Sequence, residues 1–200
     1  MICLAAMVMV APSAQAIIYD ITSDHATGGL GTPPFGTVTL IQNGANVGVT
    51  VHLVTGYSFV LTGAADMMDF KFNATGVALG DISITQNAPY TLVAAAGAFN
   101  GDGTGTFGFG ITGTGQPGGG SGAFNSDIKF SVANALIAEL TIPNASGIVF
   151  VADLLAPNGN TGPADATTPE GNVPDGGATV AMLGAALVGL GALRRKISKS

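Results

Sequence analysis

The chain reads as an all-β protein, an antiparallel β-sandwich or jelly roll, and three observations carry that expectation. Its apolar segments alternate with a period of two, they are short, and clusters of Gly, Asn, Asp and Pro separate them. Glycine supplies 31 of the 200 residues, and 26 of these fall within residues 17–172, more than twice the usual ~7%. Such a composition suits tight turns and close sheet packing, and it disfavours helices. The two ends differ from this body. Each carries an unbroken apolar run, so the sandwich is expected between an N-terminal signal peptide and a C-terminal transmembrane helix.

The first element is the signal peptide, residues 1–16. ICLAAMVMVA has the length of a signal hydrophobic region, and ten apolar residues are too few to span a bilayer. PSAQA follows, placing Ala14 and Ala16 in the small-x-small pattern that a signal peptidase requires, so cleavage leaves Ile17 as the new start. No Lys or Arg precedes the apolar stretch.

The body, residues 17–156, is expected to hold the strands. In NVGVTVHL, Val47, Val49, Val51 and Leu53 share one face, with Gly48, Thr50, His52 and Val54 on the other. TVTLIQ precedes it, and Asn43–Gly44 between them signals a hairpin, because both residue types tolerate positive φ. Further strands are read in YSFVL, DFKF, GDISIT, TFGFGI, DIKFSV, IAELTI and GIVFVA. ADMMDF and VANALIAEL are the stretches able to form a helical turn. Residues 157–172, dominated by Pro, Gly, Asn and Thr, read as a flexible linker.

Residues 173–200 form the last unit. VPDGG is followed by sixteen uncharged residues, 178–193, and then by Arg194, Arg195 and Lys196. As a helix the apolar run spans roughly 24 Å at ~1.5 Å per residue. This is shorter than the ~30 Å hydrocarbon core. The three basic residues act as a stop on the cytoplasmic side, leaving the body outside. Pro174 interrupts regular structure ahead of the helix, and Gly176–Gly177 keeps the backbone accessible to a membrane-embedded protease or transpeptidase.

This order of motif, apolar helix and basic stop resembles the bacterial PEP-CTERM class of sorting signals, in its Val-Pro-Asp-Ser-Gly variant. Val173, Pro174, Asp175 and Gly177 match that variant, and Gly176 replaces its serine. The resemblance implies recognition by an exosortase-like membrane enzyme and transient residence in the inner membrane through the C-terminal helix. Release or attachment at the surface of a Gram-negative bacterium that makes extracellular polysaccharide would follow. The body is also similar to an uncharacterised group of PEP-CTERM ectodomains through FNGDGTGTFGFGI, FSVANALIAELTIPN and IVFVAD…GNTGP. That similarity implies no activity.

Charge and chemistry narrow the function. Residues 17–172 contain eleven acids against two bases, Lys71 and Lys129, a formal charge of about −9. A body of that sign repels phosphate backbones, so nucleic acid is excluded as a partner. Cys3, in the signal segment, is the only cysteine, so the body has no disulfide, thiolate metal ligand or cysteine nucleophile. Asn100, Asp102 and Thr104 alternate as oxygen ligands do in the first half of a calcium loop, without the glutamate that completes one. They are the candidate metal ligands, and no other cofactor is expected. Asp66 and Asp69 could be paired carboxylates for acid–base work or a second metal site, although a solvated strand end is the simpler account.

The glycine spacings at 103–108 and 113–118 open no helix and therefore build no phosphate site. His25 lies in a polar loop, His52 has no carboxylate beside it in sequence, and no G-x-S-x-G turn is present. The chain is not expected to be an enzyme. The expected function is an exported surface or matrix protein associated with polysaccharide or biofilm. The alternative is a carbohydrate-binding module, calcium-assisted, with Tyr19, Tyr57 and Tyr90 as the exposed-aromatic candidates in a chain without Trp.

Overall fold

A computed structural model describes residues 15–62, 67–86 and 89–174, together with Gly184. Among the described residues thirteen strands are arranged in two sheets. They are β1 (Gln15–Ile21), β2 (Ser23–Asp24), β3 (Gly36–Asn43), β4 (Asn46–Leu53), β5 (Ser58–Phe59), β6 (Phe70–Phe72) and β7 (Ile82–Gln86). β8 (Leu92–Asn100), β9 (Thr106–Gly113), β10 (Ile128–Val132), β11 (Phe150–Leu155), β12 (Thr161–Ala166) and β13 (Pro169–Pro174) complete the set. The first sheet runs β13-β1-β3-β4-β10-β7. The second runs β2-β12-β11-β6-β9-β8, with β5 pairing the far end of β11. Every pairing between these strands is antiparallel. The all-β sandwich expected from the alternating segments is therefore found.

The sheets meet through aromatic side chains. Tyr19 of β1 meets Phe150 of β11 edge-on, with ring centroids 5.1 Å apart. Phe130 of β10 stacks on Phe72 of β6 at 5.3 Å and lies 6.3 Å from Phe70. Phe70 in turn stacks on Phe150 at 5.8 Å. Rings at these separations bury large apolar areas and add edge and face attraction. Without a disulfide, this layer is the main source of stability. β4 shows how alternation builds the layer. Val47, Val49, Val51 and Leu53 are all buried, whereas Gly48, Thr50 and His52 lie on the more accessible face.

The β3–β4 hairpin forms where expected, one residue later in the chain. Asn43 pairs with Asn46, so the turn residues are Gly44 and Ala45, and Gly44 takes φ 62° while Asn43 remains in the strand. Glycine ahead of an ordinary residue is the order a two-residue hairpin with one positive φ requires. IAELTI, read as a strand, opens instead with the helical turn that VANALIAEL allowed, α1 (Ile137–Leu140). Ile137 and Leu140, three apart, are both buried. The Glu139 carboxylate accepts from the Leu136 N–H at 2.8 Å, and the Gln42 side chain accepts from the Ile137 N–H at 3.0 Å.

The largest correction concerns residues 157–172. This stretch is part of the fold and not a flexible linker. β12 pairs with β11 over six residues, and β13 pairs with β1. Pro169 and Pro174 are compatible with a strand there because β13 lies at the edge of its sheet, the place where strands tolerate proline. The folded body thus runs from Gln15 to Pro174, beyond the expected limits at both ends. Among the described residues no helix is long and apolar enough to cross a membrane. The expected transmembrane helix, Gly184 apart, and Ala14, Asp175, Gly177, Arg194, Arg195 and Lys196 lie outside the described residues.

Candidate functional site

Two features of the sandwich bear on function: the paired terminal strands and a buried polar layer beside an open cavity. β1 is flanked on both sides, by β3 and by β13. Along the β13 side, Gln15 faces Pro174, Ala16 faces Val173, Ile17 faces Asn172 and Ile18 faces Gly171. The last residues of the fold are therefore the first two of the expected sorting motif, held against the expected signal-cleavage position. Farther along, Asp20 and Glu170 come together. The hydrogen bond to Asp20, and then its charge, hold the Glu170 carboxyl above the usual range.

The polar layer lies on the outer face of the second sheet. Phe70 and Phe72 point into the aromatic core, so Lys71 between them points outward. Asp153 does likewise between Ala152 and Leu154. Lys71 Nζ lies 3.0 Å from Asp153 Oδ2, and the Thr62 hydroxyl donates to the same oxygen at 3.0 Å. Asp69, expected at a solvated strand end, is fully buried. Its Oδ1 accepts from Gln116 Nε2 at 2.8 Å. Burial pushes the Asp69 carboxyl up to about 7, the Gln116 bond opposes this, and the nearby charge of Asp153 adds to it. Its expected partner, Asp66, lies outside the described residues.

Loops after β5 and β9 cover these groups, with Leu61 bridged to Gly118 and Gln116 also donating to the Gly122 carbonyl at 3.2 Å. Glycine makes that cover possible. A Cβ at Gly113 would come within 2.4 Å of Gln116 Oε1, and one at Gly110 within 2.7 Å of Met68. Glycine on one face of β9 does let a second layer lie close, while Phe107, Phe109 and Ile111 are buried. Asp69, Lys71 and Asp153 are each at most 1% exposed and form an internal electrostatic core.

Beside this layer an open cavity of about 510 Å³ is lined by His25, Ala26, Thr27, Thr62, Asp102, Thr161, Gly162 and Pro163. His25 Nε2 is 2.5 Å from Asp165 Oδ2, and the Ser23 hydroxyl lies 3.3 Å from the same nitrogen. A Ser-His-Asp relay needs its two partners on different ring nitrogens, so these three residues do not form one. Of the expected calcium ligands Asn100 ends β8, whereas Asp102 and Thr104 lie in the β8–β9 hairpin loop, and they face different ways. Asn100 and Asp102 are exposed, whereas Thr104 is fully buried and its hydroxyl donates to the Gly101 carbonyl. Among the described residues no group of three or more His, Cys, Asp or Glu is placed to hold a metal.

His52 does find a carboxylate, across the β4–β10 ladder. Its Nδ1 lies 2.7 Å from Asp127 Oδ1, and Lys129 lies 3.1 Å from the other oxygen. Partial burial would push the Asp127 carboxyl up, but the bonds from His52 and Lys129 outweigh it and hold the group below its usual range. Sequence separation hid this cluster, and strand register brings it together. The tyrosines are not a sugar platform. Tyr19 and Tyr57 are core residues, with Tyr57 donating to the Leu30 carbonyl at 3.1 Å, and Tyr90 packs edge-on against Phe124.

Comparison with known families adds one finding at the end of the chain. The family model described as the VPDSG-CTERM motif matches residues 172–197. Comparison with curated proteins and with solved structures finds no match. The matched segment opens inside β13 and covers the motif, the apolar run and the basic stop. The chain therefore carries a VPDSG-type PEP-CTERM sorting signal, the mark of an exported, surface-directed protein processed by a membrane sorting enzyme.

Proposed function

We propose that this protein is a structural component of the cell surface or extracellular matrix of a Gram-negative bacterium. Its acidic sandwich is cargo, delivered by an exosortase-like enzyme that removes the C-terminal helix, and the mature form associates with extracellular polysaccharide. The observation that carries the reading is the sorting-signal match at residues 172–197, which follows directly on a folded body. The burial of Lys71, Asp69 and Asp153 supports a structural role, since these charges are enclosed and not presented. Intact-mass measurement of the exported protein tests it. The expected mature species lacks Leu193 and the basic tail. A secreted form that still ends in Ser200 overturns the proposal.

The cavity beside Asp102 and Thr62 favours a second reading, a module that binds a polar carbohydrate with or without calcium. Its threonines and carboxylate offer donors and acceptors to sugar hydroxyls. A pull-down on the host's own polysaccharide, in calcium and in chelator, separates the two. Retention that is lost in Thr62→Val or Asp102→Ala favours the module, and no retention favours passive cargo.

A further inference from the structure

The pairing of β1 with β13 sets two processing positions against each other. Signal cleavage after Ala16 removes Gln15 and Ala16, the residues that face Pro174 and Val173. The pair that remains at the new end is Ile17 with Asn172. Residue 173 is where the sorting motif begins. The boundary set by the first enzyme on one strand thus coincides with the boundary the second enzyme needs on the other.

A protease binds its substrate as an extended segment through backbone hydrogen bonds along the strand edges, and such a segment must first be free of its own sheet. In the uncleaved chain Val173 and Pro174 are held by Ala16 and Gln15, while β1 is itself anchored on its other side by Ala16 facing Ile41 of β3. In the cleaved chain nothing of β1 remains opposite them, whereas pairing from Asn172 inward is kept.

We propose that the N-terminal strand masks the sorting motif, and that signal-peptide removal unmasks it, so that the tail is removed only from chains already cut at the N terminus. The partner that benefits is the sorting enzyme, which receives a motif projecting from a finished sheet edge. A chain still tethered by its signal keeps both membrane attachments. This rests on the sorting reading above and on cleavage after Ala16.

The test is made on the full-length chain in its host, with the intact mass of each product as the readout. Wild type is expected to lose both ends. A chain with Ala14→Leu and Ala16→Leu, too bulky for the signal-peptidase subsites, is expected to retain its signal and its C-terminal tail together. The third chain carries the same two substitutions plus a Gly-Ser spacer of about four residues between Asn172 and Val173, which moves the motif roughly 13 Å beyond the paired strand at ~3.3 Å per residue. It is expected to regain tail removal while keeping the signal.

Tail loss from the double variant without the spacer overturns the proposal. So does failure of the spacer to restore processing, because the block would then come from the retained membrane anchor and not from strand pairing. A wild-type chain that keeps its tail removes the sorting reading itself, an outcome distinct from either of these.

Discussion

Lys71→Met separates a structural use of the buried charges from an incidental one. Lys71 and Asp153 are each 1% exposed, and their polar atoms are 3.0 Å apart. Replacing the lysine by an apolar side chain of similar length leaves the Asp153 carboxylate under its loops without that countercharge, beside the carboxyl of Asp69. Breaking a buried pair from one side costs about 3–5 kcal/mol. For a body of this size each kcal/mol lowers Tm by about 2–4 °C, so the variant is expected to melt roughly 6–20 °C below the parent.

Residues 17–174, which hold the sandwich without the apolar ends, are the material for calorimetry and for chemical unfolding at pH 7. Lys71→Met combined with Asp153→Asn removes both charges, keeps an acceptor for the Thr62 hydroxyl, and is expected to recover more than half of the loss. A cost below about 1 kcal/mol for the single change, or a double variant no more stable than the single, refutes the account of an electrostatic core.

Three further outcomes follow from the same geometry. The Asp69 carboxyl rises from 3.8 to about 7 on folding, so it takes up a proton as the chain folds between those values. Its stabilisation is complete below about pH 4 and is lost as pH rises through 7, a change of up to about 4 kcal/mol. Asp69→Asn should flatten that decline, seen as unfolding free energies that agree at pH 5 and pH 8. Phe130→Ala opens the stack between Phe70 and Phe72 and is expected to cost about 3–5 kcal/mol in denaturant unfolding. At Gly162 a Cβ would come within 2.5 Å of Ala26 Cβ and 2.7 Å of Ala26 Cα, with no flexible side-chain end to yield. Gly162→Ala should therefore destabilise by about 1–3 kcal/mol, measured by Tm, although the same change in an open strand is mild.

The strands with clean alternation are legible in the sequence alone. β4 and β10 bury alternate residues and β3 does so from Gly36 to Leu40, as their Val, Leu, Ile and Phe positions say, whereas β9 buries Phe109, Gly110 and Ile111 in a row. β8 was missed because LVAAAGAFN is built from Ala and Gly, which give no contrast between faces. β12 and β13 were missed for a different reason. Their Pro, Gly, Asn and Thr are loop formers by intrinsic preference, and here the register against β11 and β1 overrides it.

The helical turn at Ile137 falls where two readings overlapped, since VANALIAEL allowed a turn and IAELTI a strand, and the burial of Ile137 and Leu140, three apart on one side, fits the turn. The buried layer was legible only as residue types. Asp69 and Lys71 flank Phe70 in sequence, but nothing local shows that loops from two other places close over them. The sorting signal was readable because its parts are contiguous and depend on no tertiary contact.

Gln15 and Pro174 are neighbours in space although nearly the whole domain separates them along the chain. Contacts of such span are the slowest to form, since loop closure must precede any gain from pairing. A polypeptide threaded outward from its amino end delivers β1 and β3 early and β13 last. Folding of this sheet edge therefore ends only once the strand that opens the sorting signal has followed the rest of the domain.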